Sequence, residues 1–131
     1  MNRDEVADLC ESLPGSWPDS PWGEDDLVYK LGNRNADGKG GKIFCFLGGG
    51  TTEGKPHAIS LKADPAIVPA LHKQFEAVNL PSYLNKSHWV AITLESDLPD
   101  DELEELIVDS YERILAGFSK RQQRLITGES S

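Results

Sequence analysis

Three segments of the chain carry apolar residues at helical spacing. The first, Arg3–Leu13, ends at a proline-glycine pair that stops a helix. The second, Asp64–Phe75, opens with an N-cap acid followed by proline. Within it, Pro69 lacks a backbone donor and therefore predicts a kink or a 3₁₀-like first turn. The third, Pro99–Phe118, has the longest apolar stripe, with acids in its opening turn and bases after its end. The pattern therefore predicts three helices.

Short runs rich in aromatic and β-branched residues predict strands between these helices. Two glycine-rich segments, Gly32–Gly41 and Gly48–Pro56, favour turns and separate the first three runs. Because short loops join the strands, neighbours are expected to be antiparallel, with one face of the sheet free to pack on helices. The predicted strands are Leu27–Leu31, Lys42–Leu47, His57–Lys62, a short irregular strand near Tyr83 within Val78–Asn85, and His88–Glu95.

The elements follow the order α-β-β-β-α-β-β-α, which predicts a single α+β domain. A chain of 131 residues suits one domain and can bury a core without disulfides. We assign residues 1–120 to this domain. Residues 121–131 are expected to be a frayed C-terminal tail.

The chain is acidic, with a formal net charge of −9, which disfavours a nonspecific binder of polyanions. The charge is unevenly distributed, since the segment from Lys30 to Trp89 has eight Lys/Arg against four Asp/Glu. Both flanks are acidic, which suits distinct faces on one domain or simply scattered, solvated charge. The segment Met1–Glu5 is charged and has no apolar stretch like that of a signal peptide, so we expect a cytoplasmic protein without a membrane partner.

Several motifs suggest chemistry that their context does not support. The segment Gly49–Lys55 matches G-x-x-x-x-G-K, but Pro56 stands where a phosphate loop needs Ser or Thr, and a strand follows instead of a helix. The three histidines lack metal-binding spacing, and Cys10 and Cys45 lack C-x-x-C spacing. Cys45 alternates with aromatic residues in a strand and reads as a small core residue. We therefore expect no catalytic residue, metal or cofactor.

Two surface features are better candidates for binding. The glycine-rich loops could act as basic wings that contact phosphates, or they could be mobile hairpin tips. The segment Tyr83–Trp89 combines aromatic rings with cations, which can hold a base, a nucleotide or a peptide, although its rings could instead fill the core. The candidate residues in these features are Arg34, Lys39, Lys42, Lys55, Tyr83, Asn85, Lys86, His88 and Trp89.

A set of short blocks, found in the same order along the chain, resembles the MmcQ/YjbR family from Arg3 to about Lys120. The most specific part is Asn85–Trp89, which reads Asn-Lys-x-His-Trp, followed by Leu-Pro-Asp-Asp at Leu98–Asp101. The other blocks are Pro21–Gly23, Leu27–Lys30, Lys42–Phe44 and Ile59–Lys62.

The resemblance implies a two-layer fold in which helices pack on one face of a five-stranded antiparallel sheet, similar to type III secretion chaperones. The family is commonly described as DNA-binding because of a proposed double-wing shape. Carried over by position, the family-type polar and aromatic residues are Lys30, Lys62, Asn85, Lys86, His88 and Trp89.

Three functions remain open at this point. The first is a nucleic-acid-binding module that uses basic hairpin wings, and the second is a non-catalytic adaptor that binds a protein partner. The acidic run Glu95–Glu112 could be the adaptor's partner-binding face or only a solvated helix face, and the oligomeric state is open. The third is a site for a small anionic ligand, which would use Lys30, Lys62, Lys86 and His88.

Overall fold

A computed structural model describes residues 1–20, 27–34, 40–48, 58–79, 88–94 and 96–128 of the chain. The described helices are α1 (Arg3–Ser12), α2 (Val68–Gln74), α3 (Asp100–Ala116) and α4 (Lys120–Thr127). The described strands are β1 (Trp17–Asp19), β2 (Leu27–Arg34), β3 (Gly40–Gly48), β4 (Ala58–Lys62), β5 (Val78–Asn79) and β6 (Trp89–Thr93). They form one antiparallel sheet in the order β1-β2-β3-β4-β6-β5. The predicted α+β class is confirmed, with six strands in place of five.

The core lies between one face of this sheet and the helices α1 and α3. Strand β4 shows the alternation that makes it two-faced, because Ile59 and Leu61 are buried while Ser60 and Lys62 are only half-buried. Strand β6 alternates in the same way, with Val90 and Ile92 buried. The largest side chains buried on this face include Tyr29, Phe44 and Leu31.

The predicted helices α1 and α3 begin at the signals that the sequence carries. At the start of α1, the backbone N–H of Glu5 donates to Asn2 Oδ1 at 2.8 Å, and the N–H of Asn2 donates to Glu5 Oε1 at 3.1 Å. This reciprocal pair is a capping box, which satisfies two donors that a helix end leaves open. Helix α3 begins at Asp100 with three acids in its first turn, where they complement the helix dipole.

Helix α2 begins three residues later than the Asp64-Pro65 signal predicts. The N–H groups of Ile67 and Val68 both donate to the Asp64 carbonyl, so a hydrogen-bonded turn precedes the regular helix. Pro69 then lies in the first helical turn, where its missing N–H leaves no bond unmade. The expected irregular first turn is therefore observed, and the helix boundary moves because of it.

Two elements differ more clearly from the prediction. Residues 17–19, which lie outside all the predicted strands, pair with β2 as the edge strand β1. Residues 120–127 form helix α4, although we expected a frayed tail from residue 121. Helix α4 has its own capping box, Ser119 with Gln122, and Gly128 at its C-terminal end has a φ of 76°.

The glycine-rich segments are only partly loops. Strand β2 runs to Arg34 and β3 begins at Gly40, so both strands extend into the segment 32–41. The segment 49–57 lies outside the described residues, and so does the strand expected near Tyr83. Among the residues that the structure describes, no helix combines the length and the apolar character needed to cross a membrane.

Candidate functional site

Five of the eleven predicted site residues lie outside the described part of the chain, and these are Lys39, Lys55, Tyr83, Asn85 and Lys86. For Arg34 the structure describes only the backbone, and Arg34 is the last residue of β2. The remaining five are distributed over different parts of the sheet, and each has its own surroundings.

Lys30 is buried, with 8% of its surface exposed, and it belongs to the sheet face opposite the core. Its Nζ lies 2.7 Å from Asp19 Oδ2 and 5.3 Å from the centre of the Trp17 ring. Trp17 stands directly opposite Lys30 in the β1–β2 ladder, and the indole Nε1 donates to the Gly32 carbonyl at 2.9 Å. The Lys30 charge is therefore compensated by an internal carboxylate.

Lys42 is exposed and lies near the C-terminal end of helix α3. In the β2–β3 ladder it stands opposite Leu31, a core residue, so both side chains share the helix-bearing face of the sheet. Its Nζ lies 4.8 Å from the centre of the Phe118 ring and beside Gly117, the C-cap of α3. A cation at this end of a helix is favourable because it faces the negative end of the helix dipole.

Lys62 and Trp89 stand opposite each other in the β4–β6 ladder, on the sheet face away from the core. The Trp89 ring meets Phe46 edge-on, with centroids 5.6 Å apart and planes at 74°. Next to Trp89 the His88 side chain is exposed, and the His88 carbonyl accepts from the Ala63 N–H at 2.8 Å. Within the described part of the chain, Lys62 forms no ion pair.

The three described lysines of the prediction therefore do not form one cluster. Lys30 is neutralised inside the fold, Lys42 lies on the helix-bearing face, and Lys62 lies on the other face beside Trp89. Of the predicted residues whose side chains are described, the structure brings together only the short stretch that contains Lys62, His88 and Trp89.

A second surface, which we call the acidic groove, lies between helices α2 and α3. Its volume is about 720 Å³. Its apolar floor consists of Ile67, Leu71, Leu106 and Val108. Its rim consists of Asp101, Glu102, Glu104, Glu105, Asp109 and Glu112.

The rim keeps most of its negative charge. Asp109 accepts from Arg113 Nε at 2.7 Å, and Arg113 also reaches Asp64 at 3.6 Å. Among the described residues, Glu102, Glu104 and Glu105 make no ion pair. The groove is therefore an apolar surface with uncompensated carboxylates around it.

The sequence pointed to the acidic half of this groove but not to its apolar floor. The run of acids in α3 was one candidate for a partner-binding face, whereas Ile67 lies in the turn before α2 and 41% of its surface is exposed. Ile67 lies four residues before Leu71, a spacing that predicts an inward position on a helix, but the helix begins only at Val68 and Ile67 is exposed. Only the packing of α2 beside α3 reveals its role.

The two cysteines lie in the core, as the alternation in β3 predicted for Cys45. A hydrogen bond that the Cys45 thiol donates to Cys10, together with burial, raises the pKa of the Cys45 thiol well above its usual range. A thiol held neutral in this way is a poor nucleophile, because the thiolate is the reactive form. Among the described residues, no group of His, Cys, Asp and Glu side chains is arranged to hold a metal ion.

Comparison with known proteins identifies close sequence relatives. A family model described as YjbR matches residues 11–113. The uncharacterised protein YjbR of Escherichia coli K12 is 31% identical over 74 residues, which are 56% of this chain and 62% of YjbR, so the chain covers less than two thirds of that relative. The uncharacterised protein YbdF of Escherichia coli O157:H7 is 31% identical over 107 residues, 81% of this chain and 78% of YbdF.

Solved structures share this fold. The crystal structure of the Deinococcus radiodurans protein DR2400, with the domain DUF419, matches at a TM-score of 0.81 and 28% identity, covering 100% of this chain and 92% of that one. A crystal structure of a Pseudomonas syringae protein matches at a TM-score of 0.70 and 27% identity, and the match covers 87% of this chain and 99% of that one. Since the family model spans most of the chain and YbdF matches over most of both proteins, the chain belongs to the YjbR family.

Proposed function

We propose that this protein is a non-catalytic adaptor that binds a basic, amphipathic segment of a partner protein in the acidic groove. The observation that supports this proposal is the combination of an apolar floor, with Ile67 exposed, and a rim on which Glu104 and Glu105 make no ion pair among the described residues. Amphipathic helices bind in grooves of this kind by placing their apolar face on the floor. The net charge of −9 favours a basic partner over a polyanion.

The two parts of the groove have different roles in this proposal. Burial of the floor supplies affinity, because apolar surface removed from water contributes roughly 25 cal/mol per Å². The rim supplies orientation and a fast encounter with a cationic partner, since complementary charge mainly affects specificity and association rate. Binding should therefore weaken as salt screens the exposed carboxylates.

A labelled helical peptide of about 15 residues, with leucines at i, i+3 and i+4 and lysines elsewhere, tests the adaptor function. We expect it to bind the protein, and we expect Glu104→Lys/Glu105→Lys to weaken that binding about tenfold or more, because the rim would repel the lysines. Fluorescence anisotropy measures both affinities.

The matched control reverses two charges away from the groove. Asp4 and Asp8 are exposed on helix α1, so Asp4→Lys/Asp8→Lys changes the net charge by the same amount. Equal weakening by both double variants would mean that only the net charge matters, and the groove proposal would fail.

Nucleic-acid binding is the second candidate function, and the pairing of Lys62 with Trp89 favours it. An aromatic ring next to a cation, with His88 exposed beside them, can stack on a base while the cation contacts a phosphate. The basic wings predicted from the sequence would add phosphate contacts from Lys39 and Lys55. This function uses the sheet face away from the core, so it does not depend on the acidic groove.

A gel-shift titration with a single-stranded oligonucleotide of about 16 nucleotides in about 50 mM salt tests this second function. If it is right, Trp89→Ala weakens binding about fivefold to a hundredfold, because base stacking contributes about 1–3 kcal/mol. Asp8→Asn is a control that leaves the sheet face unchanged. Absence of a shift with the unmodified protein at this salt concentration would rule the function out.

A further inference from the structure

Helix α4 has a basic outward face. Its residues Gln123, Ile126 and Thr127 are partly buried, so the opposite side of the helix faces solvent. Leu125 belongs to that side, and 71% of its surface is exposed. Arg121 and Leu125 are four residues apart and therefore lie on the same face of the helix. The outward face consists of Arg121, Arg124 and Leu125, and it contains no acidic residue.

Helix α4 packs beside β2, whereas residues of α2, of the turn before it and of α3 line the acidic groove. Gln123 Nε2 donates to the Phe118 carbonyl at 2.9 Å, and the helix packs beside β2. Gly15 lies directly against Ile126, since a β-carbon at Gly15 would come within 2.1 Å of the Ile126 carbonyl oxygen. Gly15 also has a φ of 78°, so both its conformation and this close approach require glycine.

The acidic groove and the outward face of α4 are complementary in two independent respects. The rim of the groove carries negative charge, and the outward face of α4 carries positive charge. In addition, the described residues include two exposed large apolar side chains, Ile67 and Leu125. Ile67 lies in the groove and Leu125 lies on α4. We propose that α4 of one molecule binds in the acidic groove of a second copy. This inference rests on the proposed function, because it names the partner of the same groove.

Each copy contributes two different surfaces to such a contact. A head-to-tail contact of this kind closes into a ring or continues into a chain, unless two copies exchange their α4 helices around a two-fold axis. Since α4 has only eight residues, the contact buries a small area and should be weak. Because charge contributes to it, association should decrease at high salt.

Sedimentation equilibrium of the full chain between about 10 μM and about 1 mM tests the inference. We expect the average mass to rise above the monomer mass of 14.4 kDa as the concentration increases. Leu125→Glu places a negative charge against the groove, and Ile67→Lys places a positive charge against α4, so each variant alone should remain monomeric. Both positions are exposed, so both variants should fold, and circular dichroism checks this.

Mixing the two variants supplies the decisive measurement. Leu125→Glu keeps an intact groove and Ile67→Lys keeps an intact α4, so an equal mixture has one complementary pair and should form a 1:1 heterodimer. A strictly monomeric unmodified protein would overturn the inference, and so would self-association that neither variant affects. Failure of the mixture to associate would also overturn it, because the two surfaces would then not be partners.

The same samples separate this inference from the proposed function. If the leucine-lysine peptide binds the groove but the protein stays monomeric, the self-association is wrong and the adaptor function remains supported. If neither the peptide nor a second copy binds, both are wrong.

Discussion

Replacing Asp19 with asparagine is expected to lower the free energy of unfolding by about 3–5 kcal/mol, because it leaves the buried Lys30 ammonium without its countercharge. Only 9% of the Lys30 side chain and 17% of the Asp19 side chain are exposed, so water cannot replace the lost carboxylate. Such a loss is a large fraction of the stability of a small domain. The shift in the midpoint of urea unfolding, at unchanged slope, measures it.

The double variant Asp19→Asn/Lys30→Met shows whether the loss comes from the unpaired charge. Methionine keeps most of the packing beside Trp17 but removes the ammonium, so we expect the double variant to recover part of the stability that Asp19→Asn loses. A double variant no more stable than Asp19→Asn alone would show that the carboxylate has a different structural role.

Asp109→Asn is the matched control for exposure. Asp109 and Arg113 also approach to 2.7 Å, but 36% of each side chain is exposed. Exposed pairs of this kind contribute about 0–1 kcal/mol, so this substitution should change the unfolding midpoint very little. A similar loss in both variants would mean that burial does not determine the strength of the Lys30 pair.

The same ion pair shows why the predicted basic surface differs from the observed one. The family resemblance placed Lys30 among the residues of a candidate binding surface, whereas the structure buries Lys30 beside Asp19 on the sheet face away from the core. The sequence could not show that Asp19 would meet it, because β1 is only three residues long and contains Pro18. Such a short segment becomes a strand only through its pairing with β2, and Pro18 is tolerated because β1 lies at the edge of the sheet.

Helix α4 was missed for a different reason. Isolated helices of this length are marginal in water, and Leu125 and Ile126 are the only large apolar residues of α4, so no apolar residue recurs at helical spacing within it. The capping box formed by Ser119 and Gln122 was the available signal, together with Gly128 at the other end. By contrast, α1 was predictable because its capping box agrees with its apolar stripe, and α3 because the acids of its first turn agree with its apolar stripe. The acidic groove needed both α2 and α3 in place, so local patterns could not reveal it.

Ser110 connects the two candidate surfaces and provides the second large prediction. This buried serine of α3 donates to the Phe44 carbonyl at 2.6 Å and accepts from the Lys62 N–H at 2.9 Å. It therefore ties the helix of the acidic groove to strand β3 and to the strand that carries Lys62. Ser110→Ala removes both bonds and leaves two backbone groups without these partners.

We expect Ser110→Ala to lower the free energy of unfolding by about 2–4 kcal/mol, because each buried group left unpaired costs about 1–3 kcal/mol. Ser12→Ala is the matched control, since the Ser12 hydroxyl also donates to a carbonyl at 2.6 Å, that of Leu9, but is exposed. At this exposed position water replaces the lost partner, so the free energy of unfolding of Ser12→Ala should change by less than about 0.5 kcal/mol. Urea unfolding of both variants measures the difference. Equal effects would show that α3 is held on the sheet by its apolar stripe alone, and that Ser110 does not set the position of the groove relative to Lys62.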